Sequence, residues 1–280
     1  SPIIATTTTM DPLPSPQANI DEFVLGDIRL SINKADELHS TFLTKYLPYF
    51  PIMSSNSATE LFGQSQLLFW TVMLTASMSE PEPTLYMKLS TLIKQLAIET
   101  CWIRTPRSTH ISQALLILCN WPLPNQKVLD DCSYRFVGLA KSLSYQLGLH
   151  RGEFIYEFTR TQTSMPDAEK WRTRTWLGIF FSENCWSSIL GLPPNSKPDY
   201  LTEKAKKAEI YEDNVDKTSE ITSKESNKGK AKETNGNANE ISDNKMTLPK
   251  RFKQMLILAD FQGKLCNIMG TSVTSPDGLM

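Results

Sequence analysis

The stretch ATELFGQSQLLFWTVMLTAS (Ala58–Ser77) decides how this chain is read. Leu61, Phe62, Leu67, Leu68, Phe69, Trp70, Val72, Met73 and Leu74 fall too densely for a one-sided amphipathic helix. The helix predicted here is therefore buried on most sides and needs other elements packed around it. ISQALLILCNW (Ile111–Trp121) is nearly all apolar in the same way. Neither run reaches the ~18 consecutive apolar residues that a membrane-spanning helix requires. With 40% hydrophobic residues in a length of 280, the chain has enough apolar surface for a packed core.

Outward from these two runs the pattern stays helical. Ser31 offers a cap to a stretch in which Leu38, Phe42, Leu43, Tyr46 and Leu47 recur at helical spacing, until Pro48 and Pro51 break it. His39 falls on the solvent side of that helix. Leu85, Leu89, Leu92, Ile93, Leu96 and Ala97 predict a helix to about Thr100, and Thr105-Pro106 reads as the start signal of the next. Between Val128 and Leu149 the residues Leu129, Phe136, Ala140, Leu143 and Leu147 share one face, with Gly148 marking the end. Ser164 to Asp167 reads as a capping box before a helix that turns apolar from Trp176 to Leu190. A last helix is predicted from about Leu248 to Met269. No repeat, no convincing strand pattern and no two-residue hairpin signal is read.

The expected fold class is all-α, a multi-helix domain of about seven helices with a disordered polar insert. Residues 1–26, rich in Pro, Thr and Ser, are read as a flexible linker, and 27–203 as the helical domain. Residues 204–245 are Lys, Glu, Ser, Asn and Gly with too little to bury to offset the cost of ordering. Residues 246–280 continue the helical domain. Because the chain opens on Ser1 and stops soon after an apolar helical pattern, it is read as a piece of something longer.

Lys and Arg (29) almost balance Asp and Glu (30), for a formal net charge of -1. A duplex-binding domain carries a basic face instead, so no direct DNA contact is expected of this stretch. The five cysteines, Cys101, Cys119, Cys132, Cys185 and Cys266, show no CxxC or Cys/His spacing. They are read as buried reduced thiols, not as metal ligands or disulfides. Nucleophile motifs, phosphate-cradling glycine loops and metal boxes are all missing, so no reaction class is supported and catalytic residues are expected to be none.

The order of three segments carries more. HISQALLILCNW (His110–Trp121), SYRFVGLAKSLSYQLGLHR (Ser133–Arg151) and EKWRTRTWLGIFFSENCWSSILGLPPN (Glu169–Asn195) together resemble the middle homology region of fungal zinc binuclear cluster regulators. Ala140, Leu147, Gly148, Leu149, His150 and Arg151 match the family's first block; Glu169, Arg172, Arg174, Trp176, Gly191 and Pro193 match its second. Two departures stand out: Leu192 occupies a position where the family has Arg, and Glu183-Asn184 replaces an acidic and basic pair. The resemblance covers residues 30 to 203 and resumes from about 247. It implies the regulatory part of a nuclear transcription factor acting on genes read by RNA polymerase II, with coregulators as partners and a homodimer formed through other regions. It implies zinc only in an N-terminal cluster absent here, and otherwise no cofactor.

Within the family, the segments Arg29–Met53, Leu67–Trp70 and Leu248–Met269 look most similar to the leucine-pathway regulator controlled by α-isopropylmalate. That subgroup implies branched-chain amino-acid biosynthesis as the target and a small organic-acid effector. A dicarboxylate needs two or more cations held near apolar walls. By charge and position, not by family assignment, the candidate effector-binding residues are Arg104, Arg107, His110, Arg135 and Arg151. Arg172 and Arg174 are read instead as structural, with stems on Trp171 and Trp176 and heads paired to Glu169 or Asp167. The alternative reading is a helical scaffold for dimerisation or corepressor docking, without a small ligand.

Overall fold

The computed structural model describes residues 22–125, 127, 130–158, 165, 167–211 and 246–270. It opens with a hairpin, β1 (Glu22–Leu25) and β2 (Ile28–Ser31), paired antiparallel with Leu25 opposite Ile28. The connecting residues are Gly26 and Asp27, and Gly26 sits at φ +59, a conformation that costs a residue with a Cβ more. This hairpin differs from the sequence expectation. Four-residue strands are too short to stand out in a periodicity window, yet they bury Phe23, Ile28 and Leu30.

The helices follow in order: α1 (Ile32–Lys45), α2 (Ala58–Gln64), α3 (Gln66–Ser77), α4 (Thr84–Ile98), α5 (Thr109–Asn120), α6 (Ser133–Gln146), α7 (Ala168–Leu190), α8 (Tyr200–Lys207) and α9 (Lys250–Gly270). A second small sheet pairs β3 (Glu209–Tyr211) with β4 (Thr247–Pro249) in parallel. The all-α class is observed, with the two small sheets added. The helices outnumber the expected seven for two reasons. The run at 58–77 is broken at Ser65, whose extended backbone ends α2 while its hydroxyl accepts from Leu68 N–H to cap α3. The short α8 lies at residues 200–207, inside the C-terminal margin of the stretch read as domain and the start of that read as insert.

Helices α3 and α5 are the centre. Each buries eleven of its twelve residues, as their all-round apolar character requires. Helices α1, α4 and α5 pack on α3; α5 in turn carries α6 and α7, and α7 lies along α9. Phe23, Phe62, Phe69 and Trp70 form a tilted and edge-on aromatic cluster with centroids 4.6–5.1 Å apart. Phe50 bridges the two halves by meeting Trp121, Phe181 and Phe252.

Three local expectations are corrected. Thr105 adopts a left-handed backbone (φ 44) that closes a π-turn over Glu99–Arg104, and α5 starts only at Thr109, capped by Ser108. Asp167 is also left-handed and gives α7 no side-chain cap; Ser164 and Pro166 of the expected capping box lie outside the described residues. His39 is not on the solvent side: it is 5% exposed and bonds Ser55 Oγ at 3.1 Å. Tertiary packing of α1 against α2 and α3 buries a face that polarity alone leaves outside. Most of the expected linker and insert, residues 1–21 and 212–245, lies outside the described residues.

Candidate effector cleft

The site is built around the first turns of α7. Three residues in its first half are cations, and the fold treats them unequally. Lys170 stays over the Trp171 ring at 4.7 Å, whereas Arg172 and Arg174 are drawn into the body. Arg172 is 6% exposed, with its Nε unbonded and its pKa lowered by burial. Arg174 is 3% exposed. Its NH2 group donates to Tyr211 Oη at 2.8 Å and towards Thr247 O at 3.5 Å, its NH1 group towards Pro51 O at 3.5 Å, and its Nε is buried with no acceptor. The guanidinium is stacked between Trp171 and Tyr211. All these partners are neutral. Among the described residues no carboxylate pairs with Arg174, so the expected pairing with Glu169 or Asp167 does not occur.

Arg174 forms part of the wall of a cavity of about 500 Å³, together with Thr173, Lys170, Lys204, Thr247 and Leu248. Ala168, Glu169 and Asp167 also line it, so the N-terminus of the 23-residue helix α7 opens there. First-turn N–H groups without a side-chain cap present partial positive charge to whatever occupies the space. At the mouth, Lys204 pairs with Glu153 at 3.1 Å. Partial burial acts to raise the Glu153 carboxyl, but hydrogen bonds from its backbone and from Lys204 outweigh it and hold it below its ordinary range. Asp199 ties α7 to α8: it accepts from Trp176 Nε1 at 2.6 Å and caps α8 through Thr202 N–H.

The five residues singled out by charge do not converge. Arg104 reaches out of the π-turn to Glu99. Arg107 donates to Gln146 O at 3.0 Å, at the end of α6, and borders another cavity of about 480 Å³ walled by Cys101, Trp102, Ile111, Leu143 and Leu147. His110 is 5% exposed, and burial lowers its pKa to about 4, so it is a neutral ring at pH 7 and not part of a cation cluster. Arg135 and Arg151 are exposed on α6 and just beyond it, and line none of these cavities. The buried Arg174 was legible only as a member of a Trp/Arg run, a pattern that packing explains equally well.

Compared with known proteins, the chain matches the fungal specific transcription factor domain over residues 33–275. The chain belongs to that family. SEF1 of Saccharomyces cerevisiae is 69% identical over 280 residues, covering all of this chain and 24% of its own length. The transcriptional regulatory protein SEF1 of Candida albicans is 58% identical over 264 residues, 93% of this chain and 25% of its own. The regulatory protein LEU3 of Saccharomyces cerevisiae is more distant, 22% identical over 99% of this chain and 30% of its own length. The chain thus spans about a quarter of the length of the curated relatives it matches first. No solved structure matches it. As a member of this transcription factor domain family the chain is not an enzyme. Among the described residues no group of three or more His, Cys, Asp and Glu could hold a metal ion, and no helix is long and apolar enough to cross a membrane.

The two family blocks meet in space. Gly148, at φ +73, turns the chain out of α6 so that Phe158 folds over it; an added Cβ would stand 2.3 Å from that ring. His150, from the first block, packs on Trp176, from the second, with centroids 5.8 Å apart.

Proposed function

We propose that this chain is the signal-sensing part of a nuclear transcription regulator, and that the cleft at the N-terminus of α7 receives a small organic acid through Arg174. One observation carries the reading: a guanidinium, always charged, is buried in a cavity wall with only neutral hydrogen-bond partners, and none of the carboxylates that also line the cavity, Glu153, Asp167 and Glu169, pairs with it. A buried charge that lacks a counter-charge is expensive unless a ligand supplies one. A carboxylate arriving beside the open end of α7 would gain charge-assisted bonds from both. In the whole protein we assign DNA contact to a zinc cluster outside this stretch, dimerisation to other regions, and coregulators to the output. The leucine-pathway resemblance makes α-isopropylmalate, and with it branched-chain amino-acid biosynthesis, the first effector to try.

The test is a thermal-shift series on the purified chain with α-isopropylmalate, other di- and tricarboxylates, and chloride as control. A ligand at a hundred times its Kd adds about 2.7 kcal/mol to the folded state, raising Tm by roughly 5–10 °C for a body of this size. Arg174→Met should remove the response and Arg107→Met should leave it. The reverse result moves the site to the cavity beside the π-turn, among the cations chosen from the sequence. The scaffold reading has its own support in the exposed Phe261, Leu265 and Ile268 of α9 and Ile189 of α7. A flat response to every acid, in a chain that self-associates, favours it.

A further inference from the structure

On the other side of the α7 N-terminus lies a smaller chamber of about 180 Å³, bordered by Glu60, Gln64, His110, Gln113, Asp167 and Trp171, with Ser54–Asn56 and Met165 completing its described lining. We propose that this chamber is a binding site for the primary ammonium group of a small amine. Three features argue for it, and none depends on the carboxylate reading of the neighbouring cleft.

The first is the fixed orientation of two carboxamides. Gln113, wholly buried, donates Nε2 to Ile52 O at 2.9 Å and to Thr175 Oγ1 at 3.2 Å. Gln64 donates Nε2 to Glu60 Oε1 at 2.9 Å. A backbone carbonyl and a carboxylate only accept, so neither amide can be turned round without setting oxygen against oxygen. The Oε1 atoms of both are consequently left over, buried and without a donor. Both side chains border the chamber, and N–H or O–H groups of an occupant that reached these two acceptors would meet their unmet demand.

The second is charge. The described ionisable residues bordering the chamber are Glu60, Asp167 and His110. The first two are carboxyls and the third is held neutral by burial, so the described residues of the wall offer carboxyls and no cation. The third is valence. The Glu60 oxygens each take a single amide N–H, Oε1 from Gln64 and Oε2 from Asn56 at 3.0 Å, and a carboxylate has room for more. A water supplies two donors and no charge, whereas an ammonium supplies three donors with a positive charge and fits the unmet acceptors and the local field together. The volume admits the head and a few carbons, not a larger molecule.

The experiment titrates the isotope-labelled full chain with methylammonium chloride, following Gln side-chain amide and Trp indole resonances, with tetramethylammonium and sodium chlorides at matched ionic strength. The proposal expects saturable shifts at Gln64, Gln113 and Trp171 with methylammonium alone. It expects Gln64→Leu, at the half-buried edge of α2, to weaken that binding roughly tenfold or more while the fold persists. Gln113→Leu should do the same, but Gln64→Leu keeps the test valid if the core variant fails to fold. Equal shifts with tetramethylammonium, which has no N–H, would overturn the proposal, as would no saturation, which means that the chamber holds only water. Unchanged affinity in Gln64→Leu would also overturn it. Loss of the carboxylate response in Arg174→Met does not bear on these outcomes, so the two readings fail separately.

Discussion

Helix α7 begins between two cavities with different unmet groups. On one side a buried guanidinium has only neutral partners although three carboxyls share its cavity; on the other, two buried carboxamide oxygens lack donors beside the carboxyls of Glu60 and Asp167. Trp171 stands at the partition, bordering the smaller chamber while the Arg174 guanidinium lies 5.2 Å from its ring centre. The difference teaches how a helical body can hold polar openings within an apolar core: most polar atoms of each wall find partners, and what remains unmet is the Arg174 Nε donor on one side and two amide acceptors on the other.

The largest effect that sharpens this contrast is pH dependence through His110. Burial lowers its pKa from an ordinary 6.5 to about 4. Between those values the unfolded chain takes up a proton that the folded chain refuses. Stability is therefore complete above pH 6.5 and declines by roughly 3 kcal/mol as pH falls to about 4. Urea melts at pH 7 and pH 4.5 should show the loss, and His110→Gln should flatten the slope even if it costs stability at pH 7. His39 and His150, both lowered chiefly by burial, contribute a remainder of the same sign with or without the His110→Gln substitution. An unchanged slope in His110→Gln would mean that the ring is solvated and that the smaller chamber is open to water.

A smaller effect follows from Ser57, whose hydroxyl accepts the Glu60 N–H at 3.1 Å and caps α2. Ser57→Ala should cost about 1 kcal/mol in denaturant melts. It should also weaken methylammonium binding, because Glu60 and Gln64 ride on that helix, and leave the carboxylate response intact. The smallest effect is at the mouth of the larger cleft. Lys204→Met breaks a part-exposed ion pair with Glu153, which should change stability by less than about 1 kcal/mol and lower the salt sensitivity of carboxylate affinity. A large stability loss there would show that the pair is structural and that the cleft is closed in solution.

Some of this arrangement was legible in the chain. The dense apolar runs placed α3 and α5 at the centre, and Ser31 and Gly148 marked real helix ends. The hairpin was missed because its signal is two alternating quartets around Gly26-Asp27. The buried state of His39 was missed because one helix's polarity says nothing about which neighbour covers it. The cation candidates scattered because Arg104, Arg107, Arg135 and Arg151 were chosen by charge along the chain. Arg174 was set aside because an arginine beside tryptophans packs well in most contexts. Nothing in EKWRTRTW says that its head would meet Tyr211 and Thr247, residues 37 and 73 positions away, instead of the adjacent carboxylates.

The sequence alone determined the helical class, the two all-apolar helices at the centre and the family, because these depend on local periodicity and on the identity and order of residues. Only the tertiary structure decided which charges are buried and which buried polar atoms go without partners. Those depend on long-range neighbours, and the free energy of a polar group is set by how much water and how many donors, acceptors and opposite charges the whole fold leaves around it.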